Sequence, residues 1–157
     1  MSDTVGAVLR HKGNHVWSAS PDDSVLQAIA LMADKGVGAL VVLRGDALVG
    51  MISERDYARK VVLQGRSSKD TLVKDIMTSP VCSVGLGQTI DECMRLVTTE
   101  RIRHLPVVDA GKVVGVVSIG DLVRQLVSIQ GETIQYLHEY IAGPRLDRHF
   151  VVFRIFK

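Results

Sequence analysis

The side chains best suited to chemistry in this chain come as two matched pairs, Ser53 with Asp56 and Ser118 with Asp121. In each pair the hydroxyl precedes the carboxylate by three residues, and a glycine, Gly50 or Gly115, stands three residues before the hydroxyl. A serine at a strand end exposes its hydroxyl beside the next helix, where free N–H groups and the helix dipole favour a phosphate. An aspartate in the first helical turn can accept two hydrogen bonds from vicinal hydroxyls such as those of a ribose. The glycine reads as a point where a ligand approaches the backbone closely. The same spacing is also that of a capping box, in which Ser and Asp only close a helix start.

Those groups need strands and helices to position them, and the chain supplies each element twice. Sliding the sequence along itself by 65 positions aligns residues 16–62 with residues 81–127 without a gap. Val16 then matches Val81, Leu40 matches Leu105, Val42 matches Val107, Gly50 matches Gly115 and Arg59 matches Arg124. In the first copy, residues 16–18 are extended, Pro21 with Asp22 and Asp23 offers a turn and a cap, and Val25, Ala28, Ile29, Leu31 and Met32 recur at helical spacing up to Gly36. Residues 39–43 and 47–52 are apolar runs joined by Arg44-Gly45-Asp46, which predicts a hairpin buried on both sides, and residues 55–63 predict a closing helix. The second copy repeats this over residues 89–99, 105–109, 112–117 and 120–127. Short helical segments, residues 4–9 and 72–77, lead into the copies, and residues 65–69 form a short polar linker.

A sheet with helices on one face needs cover on the other, so neither copy can bury its sheet alone. The expected fold is α/β (α+β), two β-α-β-β-α repeats packed sheet to sheet with pseudo-two-fold symmetry. Its parts are residues 4–66, the first repeat with its lead-in helix; 67–130, the second repeat; 131–143, a C-terminal helix with Ile134, Leu137 and Ile141 on one face; and 144–157, unassigned. That last stretch holds all three phenylalanines and leaves open an extra edge strand, a partner-binding tail or a disordered or non-native extension.

Composition narrows the function classes. With 157 residues, 46% apolar and 23% charged, the chain has the make-up of one folded domain. A net charge of +2 gives no reason to expect nucleic acid as a partner, and 4% aromatic residues argue against base stacking on aromatic platforms. No apolar run approaches a membrane span, and the expected setting is cytoplasmic. Cys82 and Cys93 are neither a disulfide framework nor a metal knuckle. His11 and His15 are four apart, but Gly13 and Asn14 interrupt any helix and no third ligand is near, so no metal is expected. No nucleophile stands with a plausible base, and the chain reads as non-enzymatic.

The segments Gly50-Met51-Ile52-Ser53-Glu54-Arg55-Asp56 and Gly115-Val116-Val117-Ser118-Ile119-Gly120-Asp121 resemble the Gly-apolar-x-Ser/Thr-x-x-Asp signature of cystathionine-β-synthase (CBS) domains. Arg103-His104-Leu105-Pro106-Val107-Val108 resembles the start of the first hairpin strand in those domains. The likeness covers residues 4–130 and is that of a tandem CBS domain pair, or Bateman module, of the stand-alone bacterial type. It implies a regulatory, signal-transducing module that binds an adenine nucleotide, AMP, ADP, ATP or NAD, in the cleft between the repeats. The implied adenine sites are Gly38, Ala39 and Leu40 with Ser18, and His104, Leu105 and Pro106 with Val81 and Ser83, beside the two Ser–Asp pairs. Arg55, Arg101, Arg103 and His104 are candidates to hold phosphate oxygens. Glu54-Arg55 before Asp56 contrasts with Ile119-Gly120 before Asp121, so the two sites are expected to differ in affinity or preferred phosphate number. The likeness also implies a homodimer joined through helices, with Leu31, Met32, Leu63, Met94, Val97 and Leu126 as seam candidates, and a separate regulated protein. The alternative is an interaction or assembly module of the same fold that binds no nucleotide.

Overall fold

The structure, a computed structural model, describes residues 3–142; the unassigned stretch 144–157 lies outside the described residues. Helix α1 (Val5–Lys12) opens the chain, with Thr4 as its N-cap. Strand β1 (Ser18–Ala19), helix α2 (Val25–Lys35), strands β2 (Ala39–Arg44) and β3 (Ala47–Ser53), and the one-turn helix α3 (Glu54–Tyr57) form the first repeat. A π-helical turn, Ala58–Val62, extends α3. Helix α4 (Val73–Ile76) leads into α5 (Ile90–Glu100), β4 (His104–Asp109), β5 (Lys112–Ser118) and the long α6 (Ile119–Ala142). Ser24 and Thr89 each close a capping box at the start of α2 and α5, which is why both helices begin at matched positions.

The repeat is visible in backbone detail. Leu40 pairs with Ile52 and Leu105 with Val117 in antiparallel ladders, and each ladder slips after Val42 or its counterpart Val107. Ala19 runs parallel to Val42 in the first sheet; in the second, the same contact survives as a single bridge from Val84 to Val107. Gly36 ends α2 in the left-handed region at φ 66°, and Arg101 ends α5 there at φ 53°. The sequence expectation of one helix over residues 55–63 is corrected to α3 plus the π turn, in which Leu63 N–H donates to Ala58 O at 3.1 Å.

Three apolar clusters hold the molecule together. Ala39, Val41 and Met51 meet Val81, Val113 and Val116 between the two sheets, the sheet-to-sheet contact that the repeat pattern calls for. The other two clusters exchange their lead-in helices. Val73 and Ile76 of α4 are buried in the first repeat with Val25, Leu40 and Ile52, whereas Val5, Val8 and Leu9 of α1 are buried in the second with Ile90, Leu105 and Val117. Met32 and Val97, two of the seam candidates, belong to these cores and are not available to a partner. Leu31, Met94 and Leu126 lie half-buried against the cores, and Leu63 is 76% exposed.

The signature glycines follow from this exchange. A Cβ at Gly50 would sit 2.5 Å from Met77 Sδ, and one at Gly115 would sit 2.8 Å from the Leu9 methyls. The reading of these glycines as places of ligand approach is therefore corrected: each makes room for the side chain of an incoming lead-in segment.

Candidate functional site

Both Ser–Asp pairs stand where a hairpin strand passes into a helix. In the first, Ser53 N–H donates to Asp56 Oδ2 at 2.9 Å while Asp56 N–H donates to Ser53 Oγ at 3.2 Å. In the second, the Ser118 and Asp121 counterparts are 2.8 and 3.2 Å. The capping geometry is thus realised in both repeats, and it occupies one oxygen of each carboxylate. Glu54 N–H donates to Gly38 O at 3.0 Å and, at the matched place, Ile119 N–H donates to Arg103 O at 2.9 Å, which ties each helix start to the first residues of its hairpin.

Two clefts run along the contact between the repeats. The first, of about 400 Å³, brings together Gly38, Ala39, Ser53, Arg55 and Asp56 from the first repeat with Val81, Arg101, Arg103 and His104 from the second. The other, of about 310 Å³, brings Ser118 and Asp121 together with Gly38, Ala39 and His104. Gly38, Ala39 and His104 line both, because β2 and β4 begin side by side between them. The remaining sequence candidates line neither cleft. Leu40 and Leu105 point into the cores, Pro106 is buried with its carbonyl accepting from Val84 N–H, Ser18 pairs with Val41 in the sheet, and Ser83 is exposed.

Electrostatics separate the clefts. Arg55, Arg59, Arg101 and Arg103 line the first, and none of the four makes an ion pair or side-chain hydrogen bond among the described residues. Glu54 and Glu100 share that lining without pairing to them. The Arg103 guanidinium beside Arg55 pulls the Arg55 pKa below the ordinary arginine value, with desolvation and Arg59 adding to it. In the second cleft, Lys12 Nζ and an Arg124 guanidinium nitrogen each reach an Asp121 oxygen at 2.6 Å. Burial alone would raise the Asp121 pKa, but its bonds with Lys12 and Ser118 hold the carboxyl below the usual range. Burial lowers the His104 pKa, Lys12 and Arg103 lower it further, and Asp121 opposes them. Burial pushes the Cys82 thiol up, with Glu100 adding, so this thiol in the first cleft is not an activated nucleophile.

Sequence reasoning overlooked Arg59 and Thr78 in the first cleft and Lys12, Trp17 and Arg124 in the second. Arg59 and Arg124 carried a signal, since they match across the repeat three residues after each aspartate. Trp17 stacks on His15 at 5.8 Å between ring centres, with Lys35 Nζ 4.5 Å from its ring centre. Among the described residues no group of three or more His, Cys, Asp or Glu could hold a metal ion, and no helix is long and apolar enough to cross a membrane.

Comparison with known proteins places this duplicated architecture. The CBS domain family matches residues 5–63 and 73–128. The chain belongs to the CBS domain family. It is 42% identical over 152 residues to the mitochondrial CBS domain-containing protein CBSX3 of Arabidopsis thaliana, covering 90% of this chain and 73% of that one. A solved CBS-domain protein of Burkholderia ambifaria is 51% identical, with a TM-score of 0.77, covering 81% of this chain and 96% of that one. The fold is shared with the CBS domain pair of protein MJ0100, solved in complex with 5′-methylthioadenosine and S-adenosyl-L-methionine, at 23% identity and a TM-score of 0.73, covering 82% of this chain and 99% of that one. The CBS pair is a regulatory module, and its two repeats are the ones that the 65-residue offset delineates.

Proposed function

We propose that this CBS pair is a non-catalytic cytoplasmic sensor that binds an adenine nucleotide, AMP, ADP, ATP or NAD, between its repeats and signals to a separate protein. The observation that carries the reading is the first cleft, where a strand-end hydroxyl and a carboxylate from one repeat share the lining with four unpaired guanidinium groups, two from each repeat. Asp56 Oδ1 lies outside the capping box and suits a ribose hydroxyl; it now meets Lys60 Nζ at 3.0 Å and Thr78 Oγ1 at 3.4 Å. Like-charged Arg55 and Arg103 gain a shared counter-ion when a phosphate enters, and planar guanidinium groups grip phosphate oxygens in pairs. That the MJ0100 pair holds adenosine compounds supports the same ligand class here.

A ligand gripped by Ser53 and Asp56 on one side and Arg103 and His104 on the other favours one angle between the repeats, which is a population shift driven by differential binding. A homodimer through helices fits the apolar residues that α6 leaves exposed, among them Val123, Val127 and Leu137. Thermal melts with each nucleotide test the reading. Ligand at about 100 times its Kd adds about 2.7 kcal/mol of stability, so the melting temperature rises by several degrees. Melting temperatures unmoved by all four nucleotides favour the assembly module without nucleotide.

A further inference from the structure

We infer that the chain binds one nucleotide, in the Ser53–Asp56 cleft, because Lys12 acts as a built-in counter-ion that closes the second cleft to a ribose. The inference rests on the nucleotide reading above. The two lead-in helices differ in length: α4 ends at Ile76 after four residues, whereas α1 runs for eight and ends in Lys12. Leu9 and Met77 hold equivalent places against Gly115 and Gly50, so the additional turn of α1 carries its last residue into the second cleft. There Lys12 Nζ donates to Asp121 Oδ2 at 2.6 Å and to Val116 O at 2.8 Å. In the first cleft the segment after α4 contributes Thr78 and Pro80, neither of them a cation.

The two carboxylates are consequently in different states. Asp121 has both oxygens taken: Oδ2 by Ser118 N–H and Lys12, Oδ1 by Arg124 at 2.6 Å, with its side chain only 5% exposed. A vicinal diol would have to displace a charged donor from each oxygen it reached, exchanging an ion-paired bond for one from an uncharged hydroxyl. Asp56 is more open at 13% exposure. Its cation, Lys60, lies 3.0 Å from Oδ1 but comes from Asp56's own helix, is not part of the cleft wall and donates to Ile76 O at 2.8 Å. From the cleft, among the described residues, Asp56 Oδ1 is met only by the long, uncharged donor Thr78 Oγ1 at 3.4 Å, so a ribose hydroxyl reaching Asp56 displaces a weak bond where one reaching Asp121 must displace the Lys12 ion pair.

Calorimetric titration with ATP and with AMP tests this on the wild type, Lys12→Ala, Lys12→Met and Asp56→Asn. The expected results are one site per chain in the wild type, a second site in both Lys12 variants, and loss of the wild-type site in Asp56→Asn. Two equal sites in the wild type, or a single site that persists in both Lys12 variants, would overturn the inference while leaving nucleotide binding intact. Lys12→Met keeps the aliphatic stem, and circular dichroism of each variant shows that it is folded. No heat from AMP, ADP, ATP or NAD with the wild type would overturn the nucleotide reading, and this inference with it.

Discussion

His104 stands between the two clefts and feels both. It is the first residue of β4, its Cε1 and Nε2 lie 3.6 Å from where a Cβ would be on Gly38, and it faces Lys12, Arg103 and Asp121. Burial is the main cause of its lowered pKa, with the two cations adding and the carboxylate opposing. The unfolded chain therefore takes up a proton near the ordinary histidine value of about 6.5, whereas the folded chain resists until a lower pH. Between those two values the unfolded state binds more protons, so stability falls as pH drops below about 6.5 and levels off below the folded pKa. Melting temperatures recorded from pH 7.5 down to 5 should show this fall, and His104→Gln should flatten it. An equally steep decline in the variant would assign the effect to other groups. Bound phosphate beside His104 favours the imidazolium and raises its folded pKa towards the unfolded value, so saturating nucleotide should shrink the fall.

The elements owe their positions to close approaches that single residues permit. At Gly115 the second hairpin lets α1 settle, with the Leu9 methyls 2.8 Å from the space a Cβ would fill. Gly115→Ala should therefore push α1 outwards and cost about 1–3 kcal/mol, the usual range for overpacking a core. A denaturant melt reads the loss, and adding Leu9→Ala to Gly115→Ala should cost less than the sum of the two single changes, because truncating Leu9 clears the clash. Strict additivity would mean that the two side chains do not compete for one space. The same contact marks where sequence reading stops. Hairpins, the α2 and α5 helices and both Ser–Asp pairs were legible, because apolar runs, turn residues and caps are local and appear twice at one offset. The partner of Gly115 was not, since nothing in a glycine names a leucine at the other end of the chain. Lys12 and Asp121, 109 positions apart, were invisible as a pair for the same reason. Helical periodicity was present over residues 55–63, but a spacing of 3.6 does not reveal the wider turn that Ala58–Val62 adopts.

At the scale of the whole molecule, the exchange of lead-in helices makes the two repeats one folding unit. The second core counts Val5, Val8 and Leu9 among its members, and the first counts Val73 and Ile76, all at or below 7% exposure. Burying such a side chain contributes about 1.5–3 kcal/mol, so the guest helix supplies about 3–6 kcal/mol to the first repeat and about 4.5–9 kcal/mol to the second, comparable with the total stability of about 5–15 kcal/mol for a domain. Cutting the chain in the linker, between residues 66 and 67, leaves each half with the helix that belongs in the other. Residues 1–66 and 67–157, expressed separately, should each lack a cooperative melt by circular dichroism, and an equimolar mixture should regain one. The sheet-to-sheet cluster of Val41, Met51, Val81 and Val116 supplies the surface on which they meet. A half that melts cooperatively by itself would show that its own core suffices without the guest helix. If neither half folds alone and the mixture does, the angle between the repeats is set by two crossing helices as well as by the sheets, and a nucleotide in the first cleft acts on an assembly whose halves cannot come apart without unfolding.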